Sequence, residues 1–441
     1  MAYLLLIVLL ITETGFSVFE LTRTTVKREW TPKRVLVNGV QLGIFLLMTL
    51  LPGIDFGFRF TALLIVLILR LVVSGIFALA YRKNDSQKKK AAIVFSALIS
   101  VVLIAANMLP AFMFSDYHGR PLTGEYEVVE DQIILTDTSR TEKFENDGSC
   151  REIPVHFYYP DDSSIASHSL PLVIFSHGAF GYYQSNASAY MELASHGYVV
   201  ASLDHPYHAF FTEDSSGKLI TVDPEFIRTA MYVGGNDNDM SEDELFGITS
   251  KWMELREADV NFVIDELKAG TYEQEWGRMM DTGRIGLFGH SLGGATMVTV
   301  GRRDDVSAVI DIDGSMLGEQ TGVADGMPVV NEEPYTTPLL SIDNDEHHLS
   351  RIEAYETGYA YTNNVILDNA TEGFSTYFRG AAHMDLTDLP LFSPFLAGML
   401  NTSESSVDHE ECIDTLNALV LKFFDCYLKG EGGFAVNEYY L

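Results

Sequence analysis

Residues 284–294 read RIGLFGHSLGG, an apolar run that ends in a G-x-S-x-G pentapeptide and leads into a helix-compatible stretch. In that strand–turn–helix context a serine is lifted above a sheet on a sharp turn, with its hydroxyl exposed and the next helix starting beside it. Gly289 and Gly293 leave room where the backbone turns and packs close to its neighbours. Ser291 is therefore the expected nucleophile. His290 adjoins it and is expected to point away from the hydroxyl.

Working outward, PLVIFSHG (171–178) is nearly continuous in apolar residues, the pattern of a strand covered on both faces. A helix follows at 185–196, then a second apolar strand, GYVVASLDHP (197–206). Upstream, EYEVVEDQIILTD (125–137) and REIPVHFYYP (151–160) read as an edge strand or hairpin and a strand. Downstream come VSAVIDID (306–313), PLLSIDND (338–345), a last strand FSTYFRG (374–380) and a terminal helix over 411–430 with helical apolar spacing and a glycine stop. Short apolar strands alternating with helices predict an α/β fold of the α/β-hydrolase type, a mostly parallel sheet with helices on both faces. Two segments exceed that minimal unit: an acidic, loop-like stretch at 207–250 that leads into an amphipathic helix at 251–270, and the apolar-then-polar stretch 386–407. Both follow strand ends that would face the site, so both are candidates for lid or pocket wall, or plain connections.

A serine hydroxyl needs a base, and the oxyanion that forms needs hydrogen-bond donors. His383, in FRGAAHMD (378–385), lies after the last predicted strand and before the terminal helix, where this chain order places the base. His347 and His348 also follow a strand, but one sheet element too early. The carboxylate that orients the imidazole is Asp313, at the end of the strand after the elbow strand, or Asp343 or Asp345 at the end of the next one, and spacing leaves the choice open. One oxyanion donor is the backbone N–H of Leu292. The other belongs to the loop HGAFG (177–181), with Ala179 as the expected donor and Phe180 close behind.

The first 114 residues are a different material. Segments at about 3–21, 35–54, 60–81 and 91–115 are long apolar runs; the last carries no charge, the third only Arg70, and the first is interrupted by Glu13 and Glu20. A helix of roughly 20 apolar residues crosses a bilayer, so 1–114 is read as a transmembrane region of four helices and 115–441 as the hydrolase domain. The first run lacks the basic start and small-residue cleavage site of a signal peptide. Arg23, Lys27, Arg28, Lys33 and Arg34 lie in one connecting loop, and Arg82, Lys83, Lys88, Lys89 and Lys90 in another. Both loops are expected in the cytoplasm, with the turn near Pro52–Arg59 and everything after 116 outside, which makes this a multi-pass protein of the cell membrane with an extracytoplasmic catalytic domain. The mean hydropathy of +0.09 averages the two parts. Residues 115–441 hold 17 basic against 56 acidic residues, a formal net charge of −39. Such a surface repels nucleic acid. No stretch has the spacing of a calcium loop, and Cys150, Cys412 and Cys426 form no C-x-x-C pair. A disulfide between two of them is permitted but not implied. No metal or organic cofactor is expected, and protein partners are not indicated.

Together, REIPVHFYYP (151–160), VIFSHGAFG (173–181), ELASHGYVVASLDHP (192–206), GHSLGG (289–294), AVIDIDGSM (308–316) and YFRGAAHMD (377–385) resemble the platelet-activating factor acetylhydrolase family, group VII, and its bacterial lipase- and cutinase-like relatives. The resemblance covers roughly 120–430. It implies a calcium-independent serine esterase or lipase that releases short or oxidised acyl chains from phospholipids (a 1-alkyl-2-acetylglycerophosphocholine esterase-like activity) or cleaves other small esters. In the family the triad aspartate sits in a segment L-D-x-x-M, matched here by Ile312, Asp313, Gly314, Ser315 and Met316, which favours Asp313. Ala179 matches an oxyanion donor. The apolar leader departs from the secreted and cytosolic members. The rival expectations are a broad carboxylesterase or polyester-type hydrolase, and a catalytically inactive membrane sensor or adaptor. The expected partners are a small ester or lipid substrate and, through the N-terminal helices, membrane lipids.

Overall fold

The computed structural model describes residues 1–51, 54, 56–235 and 239–441. They divide into two compact units, Met1–Tyr117 with Phe392–Leu396, and His118–Leu391 with Ala397–Leu441. Part of the expected turn near Pro52–Arg59, and residues 236–238 of the candidate lid 207–250, lie outside the described residues.

The first unit is built from α1 (Ala2–Leu21), α2 (Lys27–Met48), α3 (Phe58–Ala80) and α4 (Lys90–Met113). Among the described residues, three of these, α1, α3 and α4, are long and apolar enough to cross a membrane. Their outward residues are apolar (Leu4, Ile7 and Ile11 on α1; Ile65, Leu69 and Ile76 on α3), the reverse of a helix facing water. Polar groups turn inward. Glu13, which interrupts the first apolar run, is fully buried and accepts hydrogen bonds from Arg34 of α2 at 2.7 Å and Arg70 of α3 at 2.8 Å. A carboxylate is tolerated inside an apolar bundle when it is paired in this way. The same contact corrects the start of α2, which begins at Lys27 instead of 35 and ends at Met48 instead of 54. Arg34 faces the bundle interior, so the basic stretch continues the helix where a loop was expected.

In the second unit nine strands form one sheet among the described residues. They are β1 (Val128–Thr141), β2 (Cys150–Pro160), β3 (Leu170–Ser176), β4 (Val199–Leu203), β5 (Met280–His290), β6 (Val306–Ile312), β7 (Leu339–Asn344), β8 (Gly373–Phe378) and β9 (Tyr439–Tyr440). The order is β1-β2-β4-β3-β5-β6-β7-β8-β9. The β1–β2 and β2–β4 pairs are antiparallel, and every later pair is parallel. This is the expected mostly parallel sheet. The β3 residues alternate between two helical layers, as the period of two requires. Leu172 and Ile174 join Val260, Val263, Ile264, Met297 and Val298 on one face. On the other, Phe175 lies 4.9 Å from the Tyr190 ring and 4.7 Å from that of Phe288, which in turn meets Phe424 at 5.9 Å. Both faces are covered, and for that reason the strand sequences are apolar throughout.

Several boundaries differ from the sequence expectation. The stretch 207–250 carries a hairpin (Phe211–Glu213 with Leu219–Thr221) and a helix, Pro224–Val233, whose Asp223 side chain accepts from the N–H groups of Glu225 and Phe226. The long amphipathic helix runs Glu242–Ala269 and begins before 251, because Ser241 and Glu244 form a reciprocal capping box. The terminal helix, His409–Phe424, passes into a π turn at Asp425–Lys429. The last strand is Tyr439–Tyr440 on the outer edge of β8, too short to leave a periodic trace in the sequence. Cys150, Cys412 and Cys426 are all free.

The elbow packs without slack. A Cβ on Gly293 would stand 1.9 Å from the Ser176 carbonyl oxygen, and one on Gly322 would meet nothing within 4 Å. Gly293→Ala is expected to cost at least the ~1–3 kcal/mol of an overpacked core, whereas Gly322→Ala stays within about 0.5 kcal/mol of the parent. Thermal and urea midpoints of the purified full-length variants measure the difference.

Candidate active site

Ser291 stands between β5 and the helix Leu292–Val300 with φ 56° and ψ −125°. That left-handed backbone is costly for a non-glycine residue and persists only where the surroundings over-determine it. Here they do: the Ser291 N–H donates to the Ile312 carbonyl at 2.8 Å, and glycines stand at 289 and 293, where the turn packs closest. A Cβ on Gly289 would lie 2.4 Å from the carbonyl carbon of Gly293. Leu292 is the first residue of the helix, so its N–H has no acceptor within the helix and can serve an external anion.

The HGAFG turn follows β3, the strand beside β5. It comes close to the serine, since a Cβ on Gly178 would be 3.1 Å from the Ser291 Cβ. Phe180 has φ 43°, and the Gly181 N–H closes the turn onto the Gly178 carbonyl at 3.2 Å. Ala179 therefore sits in a tight turn next to the elbow.

Asp313 follows β6 with φ 55°, its N–H bonded to the Ile342 carbonyl at 2.7 Å. Its buried carboxylate accepts four hydrogen bonds. The Oδ2 atom takes His383 Nδ1 at 2.6 Å and Asn344 Nδ2 at 2.7 Å; Oδ1 takes the Asn344 N–H at 2.8 Å and His347 Nδ1 at 3.1 Å. Burial alone would raise its pKa, but the His347 and His383 hydrogen bonds and their charge hold it well below the usual carboxylate range. Of the three candidate acids, this is the one in contact with His383. Asp343 is bonded to Arg351. Asp345 opens the helix Asp345–Thr357, with its N–H on the Ala381 carbonyl at 3.2 Å.

The remaining histidines separate by their partners. His290 Nε2 lies 3.1 Å from the His383 carbonyl oxygen, so the His290 ring braces the backbone of its neighbour. Burial, with the nearby His383, pushes its pKa down to about 3, and it stays neutral. His348 stacks on Tyr377 at 3.8 Å. His347, set aside as too early in the sheet, is instead on the Asp313 carboxylate; burial opposes its charge, but Tyr361, Asp343 and Asp313 raise its pKa well above the ordinary value. Asn344 explains how it gets there. Its side-chain oxygen accepts the His347 N–H at 2.7 Å as a helix cap, while its amide nitrogen donates to Asp313. An aspartate could cap but could not donate. The readable signal was an Asn that ends a strand and starts a helix, with histidine three residues on.

Beside Leu292, the residues Phe226, Met253 and Ala295 form an apolar cluster with Ala179, Phe180, Trp252 and Leu317. Phe226 comes from the candidate lid 207–250 and Met253 from the long amphipathic helix. Two sets of ligand atoms fall within metal-binding reach, His290 with Asp313 and His383, and Asp313 with Asp343 and His347, each within 4.8 Å. Both depend on an Asp313 carboxylate already engaged by four donors. The structure holds an imidazole on a buried carboxylate and ties its backbone carbonyl to the residue before the strained serine, groups suited to proton transfer.

Comparison with known proteins gives the same frame. The family described as "Platelet-activating factor acetylhydrolase, isoform II" matches residues 159–225 and 255–435. The "Platelet-activating factor acetylhydrolase" of Cavia porcellus is 23% identical over 274 residues, 58% of this chain and 57% of that protein. A "Probable 1-alkyl-2-acetylglycerophosphocholine esterase" of Arthroderma benhamiae is 27% identical over 163 residues, 36% of this chain and 35% of that protein. The chain thus spans little more than half the length of the first of these relatives and about a third of the second. A solved ferulic acid esterase from Streptomyces cinnamoneus superposes with a TM-score of 0.53 at 21% identity, over 71% of this chain and 93% of that one, a likeness of fold. The family match covers more than half of the sequence and includes the elbow, the Asp313 strand end and His383, and the chain belongs to the platelet-activating factor acetylhydrolase, isoform II, family.

Proposed function

We propose that the chain is a membrane-anchored serine esterase that hydrolyses carboxylic esters, with Ser291, Asp313 and His383 as its triad and the N–H groups of Leu292 and Ala179 as its oxyanion hole. The observation that carries this reading is the 2.6 Å contact of His383 Nδ1 with the buried Asp313 carboxylate, with His290, the residue before the strained Ser291, on the His383 carbonyl. With Nδ1 held as the donor, His383 Nε2 is the basic nitrogen. It takes the Ser291 proton as the hydroxyl oxygen attacks the ester carbonyl, and Asp313 stabilises the imidazolium that forms. The two N–H groups receive the oxyanion. Collapse of the tetrahedral intermediate expels the alcohol, which takes the proton from His383. Water, deprotonated by the same nitrogen, then attacks the acyl-enzyme and releases the acid.

For substrate, we favour phospholipids with a short or oxidised acyl chain. The names of the relatives support this, as do the apolar side chains packed around Leu292 and the apolar helices, which would keep the catalytic unit at a lipid surface. Arg23, Lys27 and Arg28 around the start of α2, with the basic residues 82–90, favour a cytoplasmic placement of those helix ends, with four crossings and an extracytoplasmic catalytic unit.

In the purified protein, fluorophosphonate labelling and ester hydrolysis are both expected to disappear in Ser291→Ala. Asp313→Asn should lower kcat by about 10³–10⁴-fold, and Asp345→Asn should leave it near the parent value; a larger loss at Asp345 overturns the assignment. Rates across p-nitrophenyl esters and short-acyl, oxidised and long-acyl phospholipids set phospholipid preference against a broad carboxylesterase. A wild-type protein that neither labels nor hydrolyses is an inactive sensor. Protease added to intact cells is expected to degrade the unit after residue 116, and its survival until permeabilisation reverses the orientation.

A pH-dependent stability difference should also follow. The depressed Asp313 contributes stability above its unfolded value near 3.9, and the raised His347 contributes it below about 6.5 and upward until its folded pKa is passed. His347→Gln is thus expected to destabilise the protein by the ~1.5–3 kcal/mol of a hydrogen bond to a charged group at about pH 5–6.5, with the gap to the parent narrowing below about pH 4, as thermal midpoints across pH would record.

A further inference from the structure

Arg256 lies on the long helix Glu242–Ala269 and is completely buried. Among the described residues its guanidinium bonds to no carboxylate. Nη1 donates to the His177 carbonyl at 2.6 Å, Nη2 to the Gly178 carbonyl at 3.0 Å, and Nε to His208 Nδ1 at 3.3 Å. Asp259, on the same helix, is already held by Arg151 at 2.7 Å, Arg140 at 2.9 Å and His205 at 2.9 Å. Burying a cation against neutral partners is expensive. Burial pulls the Arg256 pKa down to about 9, with Asp259 opposing and Arg151 adding to the shift. A residue kept only for packing would be served better by an apolar side chain.

The placement suggests what the charge does. The two carbonyls it grips are consecutive and belong to the turn that carries Ala179. The Gly178 carbonyl also accepts His177 Nδ1 at 2.7 Å and the Gly181 N–H at 3.2 Å. His177 can donate there because its Nε2 accepts the His205 N–H at 3.2 Å, which leaves the ring proton on Nδ1. The Gly178–Ala179 peptide is trans, as are all the others described, so the Ala179 N–H points opposite to the clamped carbonyl. Arg256 holds one side of this peptide, and the approach of Gly178 to the Ser291 Cβ places the nucleophile beside it. A charge-assisted bond to a carbonyl also polarises its peptide and makes the N–H a stronger donor.

We propose that Arg256 is a positioning residue that orients and polarises the Ala179 N–H toward the oxyanion. The inference rests on the esterase reading above, in which that N–H stabilises the tetrahedral intermediate. Its reach extends to the 207–250 segment, since His208, which accepts from Arg256, stacks on Phe226 at 3.8 Å.

The test compares an activated ester with its thionoester, whose C=S sulfur is a poor acceptor in an oxyanion hole. Both are assayed on the full-length wild type, Arg256→Lys and Arg256→Met in detergent micelles. Removing one oxyanion donor costs about 10²–10³ in kcat; loss of its orientation is expected to cost roughly 10–100-fold in kcat at little-changed KM. The ester-to-thionoester ratio of kcat/KM should shrink in parallel. Arg256→Lys, which keeps the charge but not the two-pronged grip, should recover part of both. The ratio is insensitive to the fraction of folded protein, so a poorly folding Met variant does not imitate the result, and the Lys variant provides a second reading. A ratio equal to wild type in the variants overturns the role of Arg256 while the esterase reading stands. A wild type that neither hydrolyses the ester nor labels at Ser291 overturns the esterase reading, and this inference with it.

Discussion

The contact between Gly293 and the carbonyl end of β3 is the constraint on which the rest of the site depends. A side chain there would drive a carbon to within 1.9 Å of the Ser176 oxygen. Without one, the helix Leu292–Val300 begins directly over the strand ends, and the chain has a single residue, Ser291, in which to turn from sheet to helix. Its φ of 56° is the consequence. The same closeness sets β3 and β5 as immediate neighbours and brings Gly178 against the serine. The elbow serine and the HGAFG turn, more than a hundred residues apart in sequence, are thus joined by the absence of side chains at Gly178, Gly289 and Gly293.

Around this point the strand ends are densely charged, and the charges are bound instead of solvated. Asp313 accepts from two imidazoles and from both the backbone and side chain of Asn344. Asp259 carries Arg151, Arg140 and His205. Arg256 is committed to carbonyls. Buried polar networks of this sort are costly unless every member is paired, and when paired they allow few alternative arrangements. Such constraint is what the proposed reaction requires of its donors.

The helical unit applies the same rule in an apolar setting. Glu13 draws Arg34 and Arg70 onto itself, so three helices share one ion cluster. The residues that made the first apolar run look interrupted are the ones that tie it to its neighbours.

Much of this was legible in the residues. Strand positions and the mostly parallel α/β class follow from apolar runs of strand length, because a sheet covered on both faces leaves no room for polar alternation. The elbow was legible because only glycine fits a backbone approached that closely, and the expectation for His383 came from the order in which such a fold places its base along the chain. The 207–250 segment looked like loop because acidic residues hid the capping box at Ser241 and the Asp223 cap, although both were present as local signals. Spacing alone could not choose among Asp313, Asp343 and Asp345. All three end or follow adjacent strands, and the family resemblance was needed to favour one. Only the packing shows Asp313 on His383, Asp343 drawn to Arg351, and His347 and Arg256 turned onto the site from elements that sequence spacing passes over. By itself the sequence determined the class of fold and the serine elbow, since these rest on periodicity and on local backbone sterics. Tertiary structure decided which carboxylate meets which cation, because those pairings form between groups distant in the chain and depend on angles and depths of burial that no local pattern encodes.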